Sequence, residues 1–225
     1  MRAMILAAGR GERLRPLTDT CPKPLIEVGG KPLIVWHIEN LRRAGIEELV
    51  INTAWLDHVI HDALGDGSDL GVRIVYSDEG EALETAGGIL KALPLLGDEP
   101  FLLISGDIWC DLDLSALASM TLDKEAHLVL VENPAHHPEG DFAIEEGYLK
   151  RLGQPTYTYS GIGVFAPSLL DGVTPGKHRL APILRDKADA GEVTAEVFRG
   201  RWTDVGTVER LQVLQDSLFE SSSRT

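Results

Sequence analysis

The residues best suited to chemistry lie near the start of this 225-residue chain. The run Met4-Ile5-Leu6-Ala7-Ala8-Gly9-Arg10-Gly11-Glu12-Arg13-Leu14-Arg15 sets a Gly-x-Gly turn directly after an apolar stretch. Such a turn at a strand end lets backbone N–H groups approach phosphate oxygens closely. Two known phosphate patterns fail. Leu14 stands where the dinucleotide fingerprint G-x-G-x-x-G needs its third glycine, and no G-K-S/T follows as in a P-loop. A lone Gly-x-Gly fits a tight structural turn equally well, but its neighbours add cations: Arg10, Arg13, Arg15 and, in Cys21-Pro22-Lys23-Pro24-Leu25, Lys23. Pro22 and Pro24 restrict the backbone around Lys23, which suits an ammonium that must be held in place.

The charge is local. Residues 1–31 hold six basic side chains and three acidic ones, while the whole chain carries a formal charge of −14. A positive island on an acidic protein suits a small polyanion, which the general field would otherwise repel. The same acidity argues against nucleic acid or an anionic membrane as partner. No apolar run approaches the roughly 20 residues of a membrane span. The N-terminus has no signal-peptide pattern, and Cys21 and Cys110 are too few for a disulfide scaffold. The expectation is a cytoplasmic globular protein.

These residues need a scaffold, and hydrophobic periodicity supplies one. Apolar strand-like runs at 4–7, 49–51, 72–76 and 101–104 alternate with helical patterns at 32–44, 58–64 and 84–95. That alternation predicts an α/β protein with a Rossmann-like mixed, mostly parallel sheet flanked by helices. From about residue 127 the connections shorten, with strands expected at 127–132, 142–144, 148–152, 161–165 and 193–198. Helices are expected near 167–170 and 181–190, and an amphipathic one at 207–219. The reading is one domain over residues 1–220, with a nucleotide-binding half to about 126, a second half from 127, and a frayed tail at 221–225.

Further along, ordered motifs join the glycine loop. Gly9-x-Gly11-x-Arg13-x-x-Pro16-x-Thr18 with Pro22-Lys23-Pro24-Leu25 resembles the signature of sugar-1-phosphate nucleotidylyltransferases. Glu81-x-x-x-Thr85-Ala86-Gly87, Ser105-Gly106-Asp107, Ser160-Gly161-Ile162-Gly163-Val164-Phe165 and Trp202-Thr203-Asp204-Val205-Gly206-Thr207 resemble later segments of that family, so the likeness spans nearly the whole chain. It implies the nucleotidyltransferase fold and the reaction of a nucleoside triphosphate with a sugar 1-phosphate to give a nucleotide sugar and pyrophosphate. The short stand-alone catalytic domain is most similar to the branch that transfers UMP from UTP to N-acetylmuramate 1-phosphate in peptidoglycan recycling.

The resemblance also implies roles. Arg13 and Lys23 are the catalytic cations, at the departing and attacked phosphates respectively. Ala7, Ala8, Gly9, Gly11, Glu12, Glu81, Thr85, Ala86, Gly87, Ser105 and Gly106 join them in binding nucleotide. Asp107, Gly140, Gly161 and Trp202 face the sugar. Asp107 and Asp204 hold Mg²⁺, which commonly takes one or two carboxylates and completes its shell with phosphate oxygens and water.

The family's Glu-Lys-Pro lysine, which touches the sugar phosphate, is replaced by Gly153-Gln154-Pro155. Its cation must come from elsewhere or be dispensed with; a lactyl carboxylate would also need a cation, which Lys150, Arg151 or Arg201 could provide. Only 19 residues follow Gly206, which leaves no room for the C-terminal β-helix of many relatives. Two other readings stand beside the first: a guanylyl- or thymidylyltransferase on another hexose 1-phosphate, and a non-catalytic nucleotide-sugar-binding regulatory subunit. Asp113 is read as a helix cap, Trp109 as packing, and His58 and His61 as structural. His136-His137 is read as a solvated turn, and Cys21 as incidental to the site.

Overall fold

The computed structural model describes residues 1–222, and side chains as far as residue 219. In the first half, β1 (Arg2–Leu6) leads through the glycine loop to a small antiparallel hairpin, β2 (Glu27–Val28) and β3 (Lys31–Pro32). Then follow α1 (Leu33–Arg43), β4 (Glu48–Thr53), α2 (Asp57–Leu64), β5 (Arg73–Asp78), α3 (Glu84–Leu96), β6 (Phe101–Ser105), β7 (Ile108–Cys110) and α4 (Ser115–Ala118). The second half comprises β8 (Ala126–Val131), β9 (Phe142–Glu145), β10 (Tyr148–Lys150) and β11 (Thr156–Phe165). It closes with α5 (Leu180–Asp189), β12 (Val193–Phe198), β13 (Trp202–Asp204) and α6 (Val208–Ser222).

One nine-stranded sheet runs through both halves in the order β5-β4-β1-β6-β11-β8-β12-β10-β9. β5, β4, β1 and β6 are mutually parallel, and β8 and β12 pair in parallel, while β10 and β11 run against their neighbours. The sheet is covered on both faces, which explains apolar runs without alternation. Ala3 and Ile5 point with Leu102 and Ile104 to the face under α1 and α2. Met4 points with Phe101 and Leu103 to the face under α3 and α5. A third cluster joins Leu211, Leu214 and Leu218 on one stripe of α6 to Leu14, Val28, Leu33 and Trp109. At about 1.5–3 kcal/mol for each buried Leu side chain, that stripe clamps the end of the glycine loop to the hairpin.

Several boundaries differ from expectation. The strand expected at 161–165 begins at Thr156, because a register shift between Tyr159 and Ile162 carries it past Gly161. Gly161 sits at φ +84, and a Cβ there would lie 2.7 Å from the Ser105 hydroxyl oxygen, so the bulge needs glycine. Pro167–Leu170 is a single 3-10 turn. α6 extends to Ser222, into the segment read as a frayed tail; residues 223–225 lie outside the described residues. The β7–β13 ribbon and the β2–β3 hairpin are new elements. Among the described residues no helix is long and apolar enough to cross a membrane.

The chain leaves β1 for β4 and β5 on one side, then returns to β6 on the other. Ligands of open α/β sheets bind at the carboxyl ends of strands beside such a reversal. The glycine loop, Asn52, Glu79 and Ser105-Gly106-Asp107 all stand at those ends.

Candidate active site

A cleft of roughly 740 Å³ opens there, lined by the glycine loop, Lys23, Asn52, Glu79, Thr85 and Ser105-Gly106-Asp107. Gly11, at φ +66, allows the loop to turn onto the Lys23 segment; a Cβ would lie 2.9 Å from Thr18 Cγ2 and 3.2 Å from Lys23 Cβ. The Thr18 hydroxyl donates to Gly11 O at 2.8 Å and locks that contact. Lys23 is only 8% exposed, and its Nζ donates to Asp107 Oδ2 at 2.7 Å. Burial and this contact hold the Lys23 amino group at a fixed point on the cleft wall. Arg10 stacks over Trp55 at 4.3 Å and lines the cleft together with Arg13, whereas Arg15 turns away to Asp19 at 2.6 Å.

Asp107 and Asp204 meet across the β7–β13 ribbon. Asp204 is in register with Ile108, and Val205 N donates to Asp107 O at 2.7 Å. Arg210 Nη1 lies 3.1 Å from Asp204 Oδ2, and His136 Nε2 lies 3.0 Å from Oδ1. Among the described residues no cluster of three metal-ligating side chains occurs. A pair of carboxylates beside a phosphate-sized cleft is the donor set of an ion whose remaining ligands are substrate oxygens and water, so the site fits a divalent cation.

A second cavity of roughly 560 Å³ adjoins the first and shares Leu6, Glu84, Thr85, Ser105 and Asp107 with it. Gly161, Trp202, Asp141, His136, His137, Arg179 and Arg185 contribute to its lining. Trp202 is fixed by its indole N–H donating to Ser160 O at 2.9 Å. His137 Nε2 lies 3.1 Å from Asp141 Oδ1, and Arg179 Nε lies 4.0 Å from Glu84 Oε2. Leu180, Ala181, Leu184 and Arg185 form the stripe of α5 that faces the cavity. Burial pushes the Tyr159 phenol upward, and its hydroxyl is closed off from solvent.

Most of the expected nucleotide residues line the first cleft: Ala7, Ala8, Gly9, Gly11, Glu12, Arg13, Lys23, Thr85, Ser105 and Gly106. Asp107, Gly161, Trp202 and Asp204 line the second. Four expected residues line neither. Glu81 points outward, with a side chain 85% exposed and paired to Lys177 at 3.2 Å, while Glu79 and Ala82 face the cleft instead. The Ala86 and Gly87 N–H groups donate to His178 O at 2.9 and 3.2 Å, so the first turn of α3 packs on the 176–178 loop rather than on phosphate. Gly140 packs on Asn133, where a Cβ would lie 2.5 Å from Asn133 Oδ1. The candidate sugar cations Lys150, Arg151 and Arg201 pair with Glu145, Asp189 and Asp111; Arg179 and Arg185 are the arginines that line the cavity.

The other readings resolve as follows. Asp113 accepts from the Ser115 N–H and hydroxyl at the start of α4, contacts that hold its carboxyl below the usual range. Trp109 is buried edge-on against Trp36 at 6.0 Å, away from both cavities. Burial, helped by Glu27, pushes the Cys21 thiol up, so it is not a thiolate. His61 stacks on Tyr76 at 4.0 Å. His136 does stand exposed in a turn, and from there its Nε2 also contacts Asp204 at the cavity wall. Asn52 was not among the expected site residues, although its place as a polar residue near the end of an apolar strand could have marked it; nothing local marked Glu79, Arg185 or Arg210.

With this geometry in place, comparison with known proteins is direct. The family model described as nucleotidyl transferase matches residues 2–144. The chain is 51% identical to N-acetylmuramate alpha-1-phosphate uridylyltransferase of Neisseria meningitidis, over 96% of this chain and 97% of that protein. It is 30% identical to mannose-1-phosphate guanyltransferase beta-B of Xenopus laevis, over 92% of this chain but 61% of the other. A Bacillus anthracis crystal structure assigned as a glucose-1-phosphate thymidylyltransferase superposes with a TM-score of 0.87 at 23% identity, covering 97% of this chain and 95% of that one. At that identity the likeness speaks for the fold alone. The family model over residues 2–144 and the 51% identity across nearly the full length of both proteins agree, and the chain belongs to the nucleotidyl transferase family.

Proposed function

We propose that the chain transfers UMP from UTP to N-acetylmuramate 1-phosphate, giving UDP-N-acetylmuramate and pyrophosphate, in the reuse of peptidoglycan sugars. The observation that carries this reading is the 51% identity to an N-acetylmuramate alpha-1-phosphate uridylyltransferase across nearly the full length of both chains. The geometry supports it. One cleft fits a triphosphate, and the adjoining cavity bears Arg179 and Arg185, suited to an acceptor carrying both phosphate and carboxylate. UTP is an intracellular metabolite, so the reaction belongs in the cytoplasm.

The nucleophile is a phosphate oxygen of the acceptor. With a second pKa near 6 it is largely dianionic at neutral pH, so no protein base is needed. The chain's task is positioning and charge neutralisation. The glycine-loop N–H groups seat the phosphates. Arg13 and Arg10 at the rim meet the departing pyrophosphate, where a guanidinium can grip two oxygens. Lys23 lines the first cleft and holds Asp107, which both cavities share, so it would act where the acceptor oxygen meets the α-phosphorus. Members of this family generally use a divalent metal; we place Mg²⁺ at Asp107 and Asp204, where it would neutralise phosphate charge. Lys23 and Arg210, which now hold those carboxylates, would then turn toward phosphate or stay as outer partners.

The test is Mg²⁺-dependent pyrophosphate release with UTP, dTTP, GTP, CTP and ATP against the 1-phosphates of N-acetylmuramate, N-acetylglucosamine, glucose and mannose. Release mainly with UTP and the muramate is expected. Preference for another pair overturns the substrate assignment, and binding without release overturns the enzyme reading in favour of a regulatory subunit.

A further inference from the structure

We infer that Asn52 is a positioning residue for the nucleotide, fixing through Glu79 the spacing between the two loops that wall the first cleft. Asn52 is 3% exposed at the carboxyl end of β4. Its Oδ1 accepts the Ala7 N–H at 2.8 Å, where the glycine loop begins. Its Nδ2 donates to Glu79 Oε1 at 2.7 Å, and Glu79 Oε2 accepts the Leu83 N–H at 2.7 Å, at the entry to α3. A single hydrogen-bonded chain therefore ties one wall of the cleft to the other. Ala7, Asn52 and Glu79 all face the cleft.

The residue types are set by this task. Position 52 must present an acceptor to one side and a donor to the other at fixed spacing, which a carboxamide does and an aliphatic side chain or carboxylate does not. Position 79 must accept twice. Helix α3 leaves room for the pair only because residue 88 is glycine: a Cβ there would lie 2.5 Å from Glu79 Oε1 and 2.9 Å from Asn52 Nδ2. With the donor removed, Glu79 would face the cleft with one carboxylate oxygen unpaired in a poorly solvated wall, and the two loops would separate.

This inference rests on the nucleotide reading of the first cleft, and its test separates the two. Three variants are compared with the wild type: Asn52→Asp, Glu79→Gln, and the double variant carrying both. Asn52→Asp sets acceptor against acceptor. Glu79→Gln leaves one donor facing a donor in every amide orientation. The double variant exchanges donor and acceptor and restores all three bonds: Ala7 and the new glutamine donate to the new aspartate, and Leu83 donates to the glutamine oxygen. In each single variant the UTP dissociation constant by calorimetry, and the UTP KM, should rise about tenfold or more. The acceptor KM at saturating UTP should stay within about twofold, and the double variant should return to within about threefold of wild type on both UTP measures.

A double variant as weak as the singles overturns the inference, because the charge at position 79 would then act on the ligand directly. Single variants that lose melting temperature and weaken both substrates equally overturn it as well, leaving only a structural role. A wild type that binds UTP but transfers nothing overturns the functional reading alone. A wild type that binds no UTP overturns both.

Discussion

Replacing Lys23 by methionine removes one charge while keeping the length of a stem buried between Pro22 and Pro24. The side chain is 10% exposed, so little water can stand in for the lost ammonium. At an effective dielectric constant of about 20, a unit charge about 4 Å from a phosphate oxygen interacts by roughly 4 kcal/mol. Part of that attraction already exists in the UTP complex. The part that matters for rate is the added contact as the acceptor dianion closes on the α-phosphate, when Lys23 faces two anionic groups instead of one. Loss of one preorganised electrostatic partner of this kind costs about 2.7–4 kcal/mol, or about 10²–10³ in kcat. Asp107 also loses its 2.7 Å partner, but its side chain is 46% exposed, and water offsets most of that loss. Nucleotide affinity should change less than about tenfold, since Arg10, Arg13 and the loop N–H groups remain. Single-turnover transfer gives the rate, calorimetry gives the UTP affinity, and circular dichroism checks the fold. A variant that keeps kcat within tenfold while losing UTP affinity refutes the assignment of Lys23 to the reacting phosphates.

Three further outcomes are expected. Asp107→Ala and Asp204→Ala should each cut Mg²⁺-dependent turnover by at least about 10²-fold with the circular dichroism spectrum intact, and near-normal rates in both would remove the metal from these residues. His37 is 4% exposed, and burial lowers its imidazole to about 4, although the Ile108 backbone and Asp107 pull the other way. Because the folded value lies below the unfolded one, acid protonates the unfolded chain first. The contribution of His37 is therefore complete above pH 6.5 and is lost as pH falls through 4. At 1.36 kcal/mol per pKa unit the loss is about 3 kcal/mol; urea unfolding of His37→Gln should show that much less acid sensitivity than wild type, and equal pH slopes would contradict it. Gly106→Ala would place a Cβ 2.4 Å from Leu6 O, so the ends of β1 and β6 must part. The expected cost is about 1–3 kcal/mol in denaturant unfolding together with a raised UTP KM, and an unchanged midpoint would show that the strand ends yield freely.

The parts of the site legible in the sequence are those carried by contiguous segments. The glycine loop, Lys23 between its prolines, and the two aspartates each sit in a short run whose residue types already limit what they can do. The α/β order was equally legible, because strands covered on both faces are apolar throughout and the intervening helices keep their 3.6-residue period. What stayed hidden depends on which distant segments meet. Ile108–Cys110 and Trp202–Asp204 are too short to read as strands, and only their pairing brings Asp204 beside Asp107. Glu79 and Glu81 are alike in sequence, and the choice between them is made by Asn52 and the Leu83 N–H on one side and Lys177 on the other. Ala86 and Gly87 have the composition of a phosphate-binding turn, yet His178 O takes their N–H groups. The cavity arginines Arg179 and Arg185 come from the start and middle of α5, a helix whose apolar stripe was visible but whose neighbour across the cavity was not.

The central claim concerns an acidic acceptor, and direct competition tests it most sharply. The chain is given UTP and Mg²⁺ with equal concentrations of N-acetylmuramate 1-phosphate and N-acetylglucosamine 1-phosphate, and the two nucleotide sugars are resolved by mass spectrometry at low conversion. Their ratio is the ratio of kcat/KM values. UDP-N-acetylmuramate in excess by about tenfold or more is the predicted result, as expected when a carboxylate gains a guanidinium partner. Equal amounts, or an excess of UDP-N-acetylglucosamine, would contradict the account.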